Sequence, residues 1–360
     1  MKPDLPYFVA LAGAPGIGPA KFKILLKFAK SAREVWEEKP KTLLKILGEK
    51  TGQNFIRYRV NTDPDEYLTK VQSKNISIVT IEDKNYPKLL KEIADPPPVL
   101  YVRGELSPKF FKKSIAVVGA RKMTSYGREV TEVLVRDLVF AGFTIVSGLA
   151  YGVDSYAHRV TIGNKGKTIA VLGGGVDRVY PRENEALARE IEKGSGAVIS
   201  EFPVGMDSVP GNFPARNRII SGLSLGVLVT EAGDKSGSLI TAGQAGEQGR
   251  EVFAVPGSIH SKLSAGPSAL IKQGAKLVSN VNDILEELQF SSLDSQDSEV
   301  KGDNEEENKI IELIRAGTTH VDQITREAKL PAAKIGSTLS VLEIKGKVKS
   351  LGSGSYSLNL

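Results

Sequence analysis

Three short segments of the sequence hold residue types that suit a phosphate-bearing ligand. They contribute Gly119, Arg121, Phe213, Arg216, Asn217, Arg218, Lys235 and Ser236. An arginine guanidinium is a planar donor that matches phosphate, and an aromatic ring offers a stacking surface to a base. Backbone N–H groups of a loop that leads into a helix favour an anion. The pattern predicts a phosphate and base site, with a solvated Arg121 and a Phe213 packed in its own loop as the alternatives.

Glycine and polar residues also follow other apolar runs of the chain. They are Ser147 and Gly148 after 144–146, Gly173 and Gly174 after 168–172, and Arg182 in the loop beyond them. Glycine lets a ligand come close to the backbone. Because the carboxyl ends of parallel strands meet at one edge of a sheet, we expect these residues to line the same site as Arg121 and Phe213.

The candidate loops lack the spacing of a nucleotide cofactor site. No second glycine follows Gly119 as a dinucleotide would require, and Lys235 is not in a nucleotide-hydrolysing phosphate loop. Asp154 and His158 have the i, i+4 spacing of an acid–base pair or of metal ligands. We favour a structural interpretation, in which Asp154 serves the first turn of its helix and His158 packs. No cofactor, metal ion or catalytic residue is predicted.

Alternating strands and helices must position these segments. Apolar, β-branched runs predict strands at 76–81, 99–102, 115–118, 144–146, 168–172, 197–199, 226–229, 251–255 and 275–278. Helical spacing of apolar residues predicts helices at 152–161, 183–193, 216–223, 239–249, 267–274 and 281–288. This alternation predicts an α/β protein with a doubly wound, mostly parallel sheet.

The composition is that of a basic protein without cysteine chemistry. The 360 residues include no cysteine, which excludes disulfides, thiolate nucleophiles and cysteine-based zinc sites. No signal-peptide pattern opens the chain and no apolar run reaches the ~20 residues of a membrane helix, so we expect a cytoplasmic protein without membrane contact. The net charge is +6, and since residues 291–308 carry −6, the remainder carries +12. Such charge favours a polyanion such as nucleic acid, with mere solubility as the alternative.

Four regions are predicted along the chain. They are a helical domain at 1–66, the α/β domain at 67–288, an acidic flexible linker at 289–307 and a winged-helix domain at 308–360. The turn at 14–21 resembles the DNA-contacting hairpin of a helix-hairpin-helix motif, and a packing domain whose turn binds nothing is the alternative. The third helix of the winged helix offers only Lys334 and Lys345, so both DNA and protein contact stay open.

Four motifs of the α/β region are long enough to compare with known families. They lie at 119–127, 147–154, 213–222 and 231–238. Together they resemble the bacterial DNA-processing protein A (DprA/Smf) family. The resemblance implies a Rossmann-like domain that binds and protects single-stranded DNA, pairs as a homodimer and delivers the strand to the RecA recombinase in natural transformation. It also implies that the DNA pocket contains Arg121, Arg182, Phe213, Arg216 and Arg218.

Two other functions are weighed against this resemblance. The loop at Glu231 is distantly similar to Rossmann proteins that cut the N-glycosidic bond of nucleotides, but a lysine and serines follow it where a second carboxylate is needed. A winged-helix transcriptional regulator is the other alternative. The few basic residues of the third helix and the long acidic linker before the winged helix argue against it. We therefore expect a non-enzymatic single-stranded DNA-binding protein.

Overall fold

The computed structural model describes residues 4–290, 302–315, 317–352 and 354–358. The chain forms two compact units, Met1–Ser291 and Ser292–Leu360. Of the predicted linker, residues 291–301 lie outside the described ranges. No helix in these ranges is both long and apolar enough to cross a membrane.

The first unit opens with a group of short helices. They are α1 (Leu5–Ala12), α2 (Pro19–Phe28), α3 (Ala32–Glu37), α4 (Pro40–Leu47), α5 (Glu49–Val60) and α6 (Pro64–Gln72). Proline begins three of them, because its fixed φ suits the first helical position and its missing N–H has no partner there anyway. Trp36 packs in their core, 5.6 Å from Phe55 between ring centroids. The same core cluster includes Tyr101 and Val198 of the sheet, so these helices rest directly on it.

A nine-stranded sheet forms the centre of the unit. Its strands are β1 (Ser77–Thr80), β2 (Val99–Gly104), β3 (Ser114–Val118), β4 (Thr144–Ser147), β5 (Thr168–Val171), β6 (Gly196–Ser200), β7 (Gly226–Val229), β8 (Glu251–Ala254) and β9 (Lys276–Leu277). The spatial order is β1-β2-β6-β5-β4-β3-β7-β8-β9. The pairs β1–β2 and β2–β6 are antiparallel, and the pairs from β6 to β9 are parallel. The predicted α/β class with a mostly parallel sheet is confirmed.

The direction of strand addition reverses at β3. This strand pairs with β4 on one side and with β7 on the other, so the sheet grows outward from it in both directions. Chain segments that leave the carboxyl ends of two such strands turn to opposite faces and open a crevice between them. The fold therefore places a ligand crevice above β3 and β7.

Helices cover both faces of the sheet. They are α7 (Lys88–Lys91), α8 (Ser125–Phe140), α9 (Val153–Gly163), α10 (Glu185–Glu190), α11 (Asn212–Gly222), α12 (Gly237–Glu247), α13 (Ala265–Lys272) and α14 (Asn282–Glu287). One core cluster contains α8, α9 and α14 residues together with Ile145. A second contains α7, α11 and α12 residues together with Val227. Because each face has its own apolar core, the strands are buried on both sides, as their continuous apolar runs predicted.

The second unit has three helices and a hairpin in its described residues. These are α15 (Glu305–Arg315), α16 (Val321–Ala328), α17 (Ala332–Ile344), β10 (Val348–Gly352) and β11 (Ser355–Leu358). Strands β10 and β11 pair antiparallel, and Ile311, Ile324 and Leu339 share one buried core. The arrangement confirms the predicted winged helix.

Candidate functional site

A pocket of about 240 Å³ lies in the crevice between β3 and β7. Six of the residues predicted from the sequence line it: Gly119, Arg121, Phe213, Arg216, Asn217 and Ser236. Gly119 directly follows β3, and Ser236 precedes α12, which itself follows β7. The topology thus brings together segments more than a hundred residues apart. Ser238, the last residue of the 231–238 motif, and Thr241, which the sequence did not single out, join the lining from the first turns of α12.

Arg216 is the buried cation of the pocket. Its Nη1 donates to the carbonyl oxygens of Gly148, at 2.6 Å, and of Val171, while its Nε donates to Oδ1 of Asn217 at 3.1 Å. These bonds use Nε and Nη1, so Nη2 is the nitrogen left for a ligand. Burial, with a further contribution from the nearby Arg121, lowers the pKa of Arg216 to about 10, so the guanidinium stays charged at neutral pH.

Gly148 has a packing role beneath this arginine. A Cβ atom at position 148 would lie 2.6 Å from the Arg216 guanidinium carbon, a distance that real Cβ contacts do not reach. The absence of a side chain therefore makes room for Arg216, and Gly148 supports the pocket without lining it.

Phe213 stands at the pocket with cations close to its ring. The Cζ atoms of Arg121 and Arg216 lie 5.6 and 5.9 Å from the ring centroid, within the range of cation–π attraction. A Cβ at Gly173 would come within 3.0 Å of the Phe213 ring, so glycine lets the ring approach the backbone there. Phe213 lies in the first turn of α11 and not in a loop, because this helix begins before the predicted residue 216. Pro214 fits that turn, where its missing N–H is not needed.

The amino end of α12 faces the same pocket. Ser236 is its N-cap residue and accepts a hydrogen bond from the backbone N–H of Ser238 at 3.4 Å. The first-turn N–H groups of a helix and its dipole both favour an anion. Arg216, Arg121 and this helix end therefore converge on one volume in which a phosphate would be stabilised.

Asp154 lines the pocket, but its hydrogen bond and that of His158 serve the architecture. Oδ2 of Asp154 accepts the N–H of Gly148 at 3.1 Å, and burial raises the pKa of this carboxyl while Arg216 opposes the rise. His158 is fully buried, with Nδ1 2.6 Å from Oγ1 of Thr168. Burial and the charge of Arg216 lower the pKa of His158 to about 3. The pair therefore holds the loop and the core, and the described residues contain no group of three or more metal-ligating side chains.

Glu231 is engaged by the backbone and side chain of Thr124. Its two carboxylate oxygens accept hydrogen bonds from the N–H and Oγ1 of Thr124, at 2.8 and 2.7 Å. Thr124 in turn caps α8 by accepting the N–H of Gly127. The carboxylate is buried and stabilises the start of that helix, so it is not free to act on a substrate.

Several predicted residues lie outside the lining. Arg218 donates from Nε to Asp95 at 3.0 Å and from Nη2 to Glu201 at 2.5 Å, and it is buried between them. Ser147 donates to the carbonyl of Val117 at 2.6 Å inside the sheet. Other predicted residues beyond the lining are Gly174, buried against Ser208, and the exposed Arg182 and Lys235.

Tyr180 is a neighbour that the sequence analysis did not assign to the site. Its ring centroid lies 6.0 Å from that of Phe213, with 39° between the planes, and the side chain is 51% exposed. The available signal was its position two residues before Arg182 in a polar loop.

Comparison with known proteins covers most of the chain. The family model described as DNA recombination-mediator protein A matches residues 77–289, and the DprA winged helix domain matches 295–354. The protein Smf of Synechocystis sp. is 41% identical over 82% of this chain and 75% of its own length. The X-ray structure of DNA processing protein A from Streptococcus pneumoniae is 37% identical, with a TM-score of 0.69 over 79% of this chain and 99% of that one. DNA processing protein A from Helicobacter pylori, solved to describe its single-stranded DNA binding mode, is 30% identical, with a TM-score of 0.53 over 59% of this chain and 96% of that one.

Proposed function

The chain belongs to the DNA recombination-mediator protein A family, and we propose that it binds single-stranded DNA in the pocket between β3 and β7. The observation that carries this proposal is the arrangement of Phe213 between two arginines beside the amino end of α12. One nucleotide unit fits this chemistry, with its base on the Phe213 ring and its phosphate near Arg121 and Arg216. The single-stranded DNA binding mode described for the H. pylori protein agrees with it.

The geometry favours a single strand over a duplex. The Phe213 ring is half-buried and sits at a pocket of about 240 Å³, so a base must leave any stack to reach it. A single strand presents unstacked bases at little cost, whereas a duplex must break base pairs first. The cations act on the backbone and are indifferent to sequence, so binding should depend on strandedness more than on base identity.

The protein acts by binding and not by catalysis in this proposal. A nucleotide N-glycosidic hydrolase needs a free carboxylate beside the ribose, but the Glu231 carboxylate is held by Thr124. A winged-helix regulator needs free cations on its third helix. Lys334 instead pairs with Glu306 at 2.6 Å, and Lys345 pairs with Glu307 at 2.6 Å.

The finer steps of the function are part of the same proposal. We propose that the chain protects the incoming strand, loads RecA on it during natural transformation, and works in the cytoplasm as a homodimer. Membership in a family of recombination mediators supports the hand-over of the strand.

The test of the proposed function is a comparison of ligands. Fluorescence anisotropy with an oligothymidylate, the matching duplex and thymidine monophosphate should rank the single strand first. We expect the single strand to bind roughly tenfold or more tightly than the duplex, because one stacking contact contributes ~1–3 kcal/mol. Phe213→Ala should weaken single-strand binding, and Phe140→Ala is its matched control, since Phe140 is an exposed phenylalanine at the end of α8 away from the pocket. Equal binding of duplex and single strand at physiological salt would refute the pocket as the DNA site.

A further inference from the structure

Exposed aromatic side chains extend from the pocket along one side. Next to Phe213 stands Tyr180, and the loop of Tyr180 continues to Glu183, whose Oε2 accepts a hydrogen bond from the hydroxyl of Tyr151 at 2.6 Å. Tyr180 is 51% exposed and Tyr151 is 42% exposed. The two rings do not pack in the core, so their faces are open to a ligand, and covering such rings is favourable.

The mutual tilt of the two rings decides what they can hold. The planes of Phe213 and Tyr180 differ by 39°, with centroids 6.0 Å apart. A planar base cannot lie face to face on both rings at once, so each ring suits a different base. The short distance between the rings means that these bases must be neighbours in one strand.

An exposed arginine follows the second ring along the chain. Arg182 lies two residues after Tyr180, is exposed, and pairs with no carboxylate among the residues that the structure describes. Arg121 lies over the Phe213 ring, and Arg182 adds a second exposed guanidinium to the segment that carries Tyr180. Stacking platforms interleaved with cations are typical of single-strand channels.

We propose that Tyr180 is a second stacking position, which receives the base adjacent to the one on Phe213 while Arg182 neutralises the phosphate beside it. The proposal rests on the proposed function and adds the direction in which the strand leaves the pocket, over Tyr180 towards Tyr151. It assigns to the loop after β5 a direct part in binding.

The first experiment varies the length of the ligand. Thymidine monophosphate fills only the pocket, whereas oligothymidylates of increasing length also reach Tyr180. Tyr180→Ala should weaken binding of the oligomers by roughly 5- to 100-fold, the value of one stacking contact, and leave the monophosphate unchanged. Tyr180→Phe should retain parental affinity because the ring remains. Phe213→Ala, in contrast, should weaken every ligand that stacks in the pocket.

The second experiment reports on stacking itself. Trp36 is the one tryptophan of the sequence and it is buried, so its fluorescence provides a constant background. The emission of Tyr180→Trp should be quenched by oligothymidylate and not by the monophosphate, whereas Phe140→Trp, at the far end of α8, should be quenched by neither.

The outcomes separate this proposal from the proposed function. If Tyr180→Ala binds all lengths like the parent while Phe213→Ala loses affinity, the second position is wrong and the pocket stands. If Tyr180→Ala weakens the monophosphate as much as the oligomers, Tyr180 only supports Phe213 and the proposal is overturned. If neither variant changes binding, the pocket assignment falls as well.

Discussion

Removal of the Arg121 charge should change the salt dependence of binding by a defined amount. Arg121 and Arg216 line the pocket, Lys235 precedes the lining residue Ser236, and Arg182 follows Tyr180 by two positions. None of these four cations forms an ion pair with a carboxylate among the described residues. Each phosphate neutralised on a single strand adds about −0.7 to the slope of log affinity against log salt, so the parent slope should reach about −2.8. Arg121→Ala should reduce it to about −2.1.

The assay is anisotropy of a labelled oligothymidylate over a salt series. Between 0.1 and 0.4 M salt the parent should lose affinity by about 50-fold and Arg121→Ala by about 20-fold, if the slopes are those above. Both proteins must be shown folded by circular dichroism at each salt concentration. An Arg121→Ala slope equal to the parent slope would refute the reasoning, because the guanidinium would then contact no phosphate.

Arg218 provides the matched control for this experiment. It lies two residues from Arg216 in the same motif, but its guanidinium is engaged by Asp95 and Glu201. Arg218→Gln should therefore leave the salt slope unchanged. It should lower stability by roughly 3–5 kcal/mol, because burial already raises the pKa of Glu201 and the carboxylate would lose its partner. If Arg218→Gln flattened the slope as Arg121→Ala is expected to do, the ion pairs with Asp95 and Glu201 would not keep Arg218 from contacting DNA phosphate.

Three other expectations concern the residues around the pocket. Neither the parent nor Glu231→Gln should release base from nucleoside monophosphates, and the variant should lose about 1–3 kcal/mol of stability with its charged bonds to Thr124; base release that depends on Glu231 would restore the hydrolase hypothesis. His158 stays neutral in the folded protein down to its pKa of about 3, whereas the unfolded chain protonates below 6.5, so stability should fall by about 2 kcal/mol from pH 7 to pH 5. Denaturant titration should find that His158→Gln lacks this part of the pH dependence, and an identical pH profile would contradict the assignment. A protein ending at residue 290 should melt cooperatively and still bind single strands, because the first compact unit ends at Ser291; loss of either property would make the second unit integral.

The sheet and its crevice could be predicted because each signal was local. Runs such as Ile115 to Val118 are apolar without alternation, as is typical of a strand covered on both faces. Once the strands are parallel, Gly119 and Ser236 must come to the same edge, since each follows a carboxyl end. The lining of the pocket by both residues follows from these two facts.

The different roles of the two arginines in α11 could not be predicted in the same way. Arg216 and Arg218 are two positions apart, so they point to different sides of the helix. Arg218 faces away from the pocket because it pairs with Asp95 and Glu201. Both carboxylates lie outside α11, and Asp95 is more than a hundred residues from Arg218 in the sequence. No local pattern of charge or hydrophobicity carries that information.

The two glycines near the pocket explain how a buried arginine and a half-buried ring are held together. The sequence suggests that Gly148 and Gly173 admit a ligand, but in the structure they admit side chains of the protein, the Arg216 guanidinium and the Phe213 ring. Nη1 and Nε of Arg216 donate hydrogen bonds to the Gly148 carbonyl and to Oδ1 of Asn217, and these bonds hold the guanidinium in place before any ligand binds. Phosphate binding therefore costs little side-chain entropy at Arg216. A preorganised cation of this kind contributes more to affinity than a mobile surface charge. The affinity of this site for a strand therefore depends as much on small residues behind the pocket as on the charges that line it.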